Sequence, residues 1–325
     1  MAASFRKIDY SLRPAKYAER KMLVDVFRRL TPFQAIEDYC YVGFGSVWFS
    51  DFILFHKSLG IKNMVSIEES EGARERFEEN RPFQIKMEFS NSATALPRLD
   101  WSQRTIAWLD YDDTLVTSML QDIRSVAARA VSGSILAVSV QCMKAKALIE
   151  YHAENDPSKE SAIERFRQTF GRSRVPDDTQ DEDLAGWPYG TLCRNIIKTE
   201  IELALSDRNT NPETAMQFLP ICEIEYQDDA RMTTMVGIFV SPDEMSRYEL
   251  CSFNKLDFIP PDNKAIRIEM PKLTIRELRK IEQQLPKTDG MELSLGSIPP
   301  SDAEKFCKMY RCFPNFAVME GGCRS

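Results

Sequence analysis

Four short stretches of this 325-residue sequence carry side chains whose types and spacing suit chemistry. The first is Gly43-Phe44-Gly45-Ser46: two residues without a Cβ permit tight turns and close approach, and a helix starting just beyond would offer unpaired N–H groups to a polar or anionic ligand. The second is Glu68, 25 residues after Gly43, a carboxylate able to accept two hydrogen bonds from the vicinal hydroxyls of a ribose. The third is the polar pair Asn91-Ser92, which turn chemistry alone also explains. The fourth is Asp110-Tyr111-Asp112-Asp113, three mutually repelling carboxylates in four residues. Such a cluster is tolerated when exposed, when it caps a helix starting near Thr114, or when it faces a cation. Outside these stretches, Arg13, Lys16 and Arg20 share one face of a basic N-terminal segment, and Trp187 and Tyr189 flank a proline.

These residues need elements to position them. Pro14 suits the first turn of a helix, and Ala15, Ala18, Met22, Leu23, Val26, Phe27 and Leu30 follow at spacings of three and four. Residues 1–32 thus read as a basic amphipathic helix, with eight Lys and Arg against three acids, its charged face either solvated or contacting an anion. Apolar runs and helical stretches then alternate, as a mostly parallel sheet covered by helices requires. Strands are predicted at 39–42, 64–67, 85–89, 105–109 and 135–140, placing Gly43, Glu68, Asn91 and Asp110 each just beyond a strand. Residues 144–215 read as a helical insertion with a turn at Trp187-Pro188-Tyr189-Gly190. Residues 221–226 and 232–240 form an antiparallel hairpin. Pro260-Pro261 closes a main domain spanning 33–260, and 261–325 form a small C-terminal extension whose helix opens on the capping-box pair Thr274 and Glu277.

Over residues 35–240 this order resembles class I S-adenosylmethionine-dependent methyltransferases, in the Gly43–Gly45 turn, the acid at Glu68, the polar turn after strand three, the acidic end of strand four and the terminal hairpin. The resemblance implies an α/β fold, a doubly wound and mostly parallel sheet ending in that hairpin. It implies S-adenosylmethionine bound by Gly43, Gly45, Ser46, Glu68, Asn91, Ser92 and Asp110. It also implies methyl transfer to an oxygen or nitrogen acceptor, Asp110 orienting the methionine ammonium or serving as base and Tyr111 lining the acceptor pocket. Arg13, Lys16, Arg20, Trp187 and Tyr189 are the expected acceptor contacts, and Asp112 and Asp113 the candidates for Mg²⁺. Positions two before and two after the glycine pair, where such families carry an acid and a third glycine, are Tyr41 and Val47. A non-catalytic cofactor-binding scaffold serving a partner protein is therefore the alternative reading. A nicotinamide oxidoreductase is a weaker one, since its fingerprint wants glycine where Trp48 stands.

Composition narrows the rest. The chain is 43% hydrophobic and 28% charged, which excludes a wholly disordered or fibrous protein. No apolar run approaches a bilayer span and the first residues lack a leader pattern, so a cytoplasmic protein is expected, with a small molecule or a nucleic acid as acceptor. With a net charge of −7, a nucleic-acid acceptor would need a local basic patch. The eight cysteines form no CxxC pair and read as reduced, mostly buried thiols. His56 and His152 are the sole histidines, too few for a multi-histidine metal site.

Overall fold

A computed structural model describes residues 13–154, 160–211, 215–260, 262, 264–288 and 290–314. The apolar runs become eight strands of one sheet: β1 (Cys40–Phe44), β2 (Asn63–Ile67), β3 (Lys86–Glu88), β4 (Thr105–Thr114), β5 (Ile135–Gln141), β6 (Gln217–Gln227), β7 (Arg231–Val240) and β8 (Ile266–Ile268). Their order is β3-β2-β1-β4-β5-β7-β6-β8. The first five strands run parallel, β7 lies antiparallel to β5, and β6 is its hairpin partner. Parallel strands must be covered on both faces, and here they are. One apolar cluster packs α5 (Thr117–Ala127) and α8 (Gly186–Arg208) on one face through Leu120, Ile123, Ile196 and Ile197. The other packs α1 (Pro14–Arg28) and α2 (Ser50–Leu59) on the opposite face through Ala18, Leu23, Phe27, Phe52 and Phe55.

The shorter helices are α3 (Arg74–Asn80), α4 (Ser92–Ala95), α6 (Lys146–Glu154), α7 (Ala162–Phe170), α9 (Met245–Cys251), α10 (Ile275–Glu282) and α11 (Pro300–Met309). Of the helical insertion, α6, α7 and α8 are seen, but Trp187–Gly190 is the first turn of α8, not a separate turn: Pro188 sits where a missing N–H costs nothing. The C-terminal segment is less separate than its sequence suggests, because β8 pairs in parallel with β6 and extends the main sheet. Beyond it, α10 opens on the Thr274–Glu277 capping box and packs with α11 around Ile281, Ala303 and Phe306. Of the basic N-terminal segment, Arg6, Lys7 and Asp9 lie outside the described residues, as does Cys323.

Candidate donor and acceptor site

The strand tips converge where β1 and β4, neighbours in the sheet, send their connections to opposite faces, the switch point at which open α/β sheets bind ligands. Gly43 pairs with Ser66 of β2 and Trp108 of β4, and both glycines serve close approach. A Cβ on Gly43 would lie 2.6 Å from the Tyr41 hydroxyl. A Cβ on Gly45 would lie 2.5 Å from Ser66 Oγ and 3.7 Å from Glu68 Oε2. The turn closes tightly after Ser46, whose carbonyl accepts the Phe49 N–H at 3.1 Å. Phe49, fully buried, holds φ = 45°, a left-handed conformation that a bulky residue adopts only under constraint from its surroundings.

Glu68 caps the end of β2 and accepts the Ser70 N–H at 2.8 Å; partial burial raises its carboxyl above the usual range. Asn91 is the N-cap of α4, its side chain accepting the Thr94 N–H at 2.9 Å. Ser92 donates to Asp122 at 2.6 Å, and the Tyr111 hydroxyl donates to the same carboxylate oxygen at 2.8 Å. Asp122, buried on α5, is pushed up by desolvation and draws both hydroxyls to itself. Tyr111 is thus tethered through its hydroxyl and offers its ring, which stacks edge-on against Phe44 at 5.0 Å.

The acidic quartet differs from the expected turn. β4 continues through it, with a register shift between Asp110 and Thr114 before pairing with β5 resumes at Gln141. It caps no helix, since α5 starts at Thr117. Asp112 and Asp113 are exposed, and among the described residues no three His, Cys, Asp or Glu side chains converge on a metal position.

Asp110 instead meets α1. Lys16 Nζ lies 2.6 Å from Asp110 and 2.8 Å from Glu19, with the ammonium 4.3 Å from the Trp108 ring centroid. From Glu19 the network runs on: Thr234 of β7 donates to Glu19, Ser139 of β5 lies 2.7 Å from Thr234, and Trp108 Nε1 donates to Ser139 at 2.9 Å. Burial pushes the Glu19 carboxyl up despite Lys16. The basic face of α1, expected in solvent or on an anion, is therefore folded inward. Lys16 is 3% exposed and Arg20 6% exposed. The helix lacks a capping side chain of its own, and Asp228 in the hairpin turn supplies one, accepting the N–H groups of Ala15 and Lys16 at 3.1 and 3.0 Å. Arg13 reaches Asp229 at 3.3 Å. A second acid that the sequence reading missed is Asp51, in the first turn of α2: Tyr41 donates a short hydrogen bond to it, and burial raises its carboxyl. Its position eight residues after Gly43, at a helix start, was the available signal.

Trp187 lines a cavity of about 540 Å³ with Gln141, Met143, Lys144, Ile149 and Arg231. Its ring is flanked by Arg267 at 4.6 Å and Arg231 at 5.4 Å. Tyr189, expected beside it, points into the core instead: it is fully buried, 2.8 Å from the Thr114 hydroxyl and packed on Phe166.

A family model described as "Putative O-methyltransferase" matches residues 8–321. The chain belongs to that family. It is an S-adenosylmethionine-dependent methyltransferase, and the nicotinamide reading is set aside. No curated protein sequence matches this methyltransferase. Solved structures similar to it include Trm1 from Pyrococcus horikoshii in complex with S-adenosyl-L-methionine (10% identity, 72% of this chain, 57% of that one, TM-score 0.43). A putative O-methyltransferase from Klebsiella pneumoniae is another (8% identity, 69% and 80%, TM-score 0.36). A third is the geranyl diphosphate C-methyltransferase from Streptomyces coelicolor A3(2), solved with Mg²⁺, geranyl diphosphate and S-adenosyl-L-homocysteine (14% identity, 62% and 71%, TM-score 0.31). The site of this methyltransferase suits its donor on two counts: a partly exposed carboxylate beside Gly45 for ribose hydroxyls, and an orphaned buried guanidinium Nε on Arg20.

Proposed function

We propose that the protein methylates an oxygen atom of a small-molecule acceptor, binding the donor across the Gly43–Gly45 turn. The observation that carries this reading is the placement of Glu68 just past the end of β2 and of Asp110 on β4 just beyond that strand's last pair with β1, on the two strands flanking β1, so that one crevice has a ribose acid on one side and a charged network on the other. S-Adenosylmethionine, when bound, supplies a methyl group activated on a sulfonium. Glu68 holds the ribose hydroxyls. Ser92, whose proton goes to Asp122, keeps oxygen lone pairs for an amine on the base edge, while Asn91 has its amide hydrogens to offer a ring nitrogen. Phe44 and Tyr111 form an aromatic wall between donor and acceptor.

In-line displacement asks little covalent chemistry of a protein, so the main work is holding the acceptor oxygen in attack geometry. The cavity around Trp187 receives the acceptor: Met143, Ile149 and Trp187 give it apolar surface, and Lys144 and Arg231 give it positive charge. Asp110, about one quarter exposed, accepts the proton released from an acceptor hydroxyl, with Lys16 holding the carboxylate in place. A cytoplasmic setting fits the seven described cysteines, all unpaired thiols and six of them buried.

The test is titration calorimetry with S-adenosylhomocysteine, followed by radiolabelled methyl transfer to a panel of phenolic and aliphatic hydroxy acids and matching amines. Binding together with transfer to oxygen compounds is expected. Transfer to amines alone would overturn the oxygen assignment, and binding without any turnover would favour the scaffold.

A further inference from the structure

Arg20 is an arginine withdrawn from water whose charge is felt by Asp51 but which, among the described residues, makes no ion pair. Its side chain is 6% exposed, its Nε is buried without a hydrogen-bond partner, and among the described residues no carboxylate comes within ion-pairing distance of its guanidinium. Taking a charge out of water costs several kcal/mol unless a partner returns it, so folded proteins seldom leave a guanidinium in this state. Lys16, one turn earlier on the same helix face, shows the usual solution, bridging Asp110 and Glu19. The acids around Arg20 are already engaged elsewhere: Asp51 with the Tyr41 hydroxyl, Asp110 and Glu19 with Lys16. The Arg20 charge is felt by Tyr41, whose hydroxyl lies against Gly43, and a flat fork of N–H donors there is suited to a planar carboxylate, which it can grip through two bonds at once.

We propose that Arg20 binds the α-carboxylate of the methyl donor. This rests on the donor crevice proposed above. With the ribose at Glu68 on β2, the rest of the donor crosses β1 toward β4, the side on which α1 lays Lys16 against Asp110. The amino-acid end carries the donor's single carboxylate, and Arg20 is, among the described residues, the buried cation on that side that makes no ion pair. Lys16 and Arg13, with partners of their own in Asp110, Glu19 and Asp229, hold the helix and do not contact the donor.

Two probes separate the carboxylate from the rest of the donor: S-adenosylhomocysteine has it, whereas 5′-methylthioadenosine shares the adenosine and lacks the amino-acid end. Calorimetry on the full chain and on Arg20→Met should show S-adenosylhomocysteine weakened roughly ten- to hundredfold, as for loss of a hydrogen bond to a charged group, with 5′-methylthioadenosine unchanged. Arg20→Lys, which keeps the charge but not the fork, should fall between. Without ligand, Arg20→Met should lose little thermal stability, because removal of a buried guanidinium offsets the loss of its attraction for Asp51. Equal weakening of both probes, or of neither, would overturn the inference, as would a marked loss of stability in the ligand-free variant. If the parent binds 5′-methylthioadenosine and Glu68→Ala weakens it, the crevice stands whatever Arg20 does. If the parent binds neither probe, crevice and inference fall together.

Discussion

Glu68 and Lys16 show how two charged residues at one edge of a sheet do different work. Glu68 is partly exposed and its carboxyl is raised by desolvation, the state of a group waiting for hydroxyl donors. Replacing it by alanine should leave the fold intact and weaken S-adenosylhomocysteine by about 1 to 3 kcal/mol in calorimetry, the range for removing a partner from buried polar groups. Lys16 is a structural cation: Lys16→Met would strand Glu19 and Asp110 with no counter-charge. Urea unfolding should report a loss of about 3 to 5 kcal/mol, as for breaking a buried ion pair from one side. Tripling the change, with alanine at 13, 16 and 20 together, would confound stability with binding.

At the scale of elements, the glycine turn, the acid just past β2, the strands of a mostly parallel sheet and the hairpin were legible because each depends on local pattern: alternating apolar runs, a missing Cβ, an acid at a strand end. The burial of the basic face of α1 was not. Periodicity identifies the apolar stripe, but nothing in a helix's own sequence tells that an acid 94 residues away will meet its lysine. The same holds for Asp122, whose role exists only because α4, α5 and β4 bring Ser92 and Tyr111 to it. Tyr189 misled for the opposite reason: an aromatic beside proline reads alike whether it walls a pocket or anchors a helix start. Asp228 offers a test at this scale. As a capping side chain supplied from another element, its replacement by alanine should cost about 0.5 to 2 kcal/mol of stability by thermal or urea unfolding. Donor affinity should also drop if α1 shifts with it.

Over the whole molecule, desolvation lifts the carboxyls of Glu19, Asp51, Asp122 and Glu68 above their usual values. A carboxyl whose folded value exceeds its unfolded one adds stability that is complete below the unfolded value and disappears as pH rises through the folded value. The urea midpoint should therefore decline as pH rises above the ordinary carboxylate range of about 4. Carboxylates held low by neighbours, such as Glu164 beside Arg167, push the other way but are exposed and screened. Asp122→Asn keeps an acceptor for Ser92 and Tyr111 without the charge, and should flatten part of that decline and raise the midpoint near neutrality. A midpoint that rises steadily over the same range would contradict it.

The contacts that fasten α1 also order events in time. Its cap and the hydroxyl on Glu19 come from Asp228 and Thr234, more than 210 residues downstream. Until that hairpin has left the ribosome, the helix has neither its cap nor Tyr226, whose ring centroid lies 5.4 Å from the Lys16 ammonium. A nascent chain therefore acquires the first five strands well before α1 can be fastened, and the β6–β7 hairpin acts as the latch on that helix.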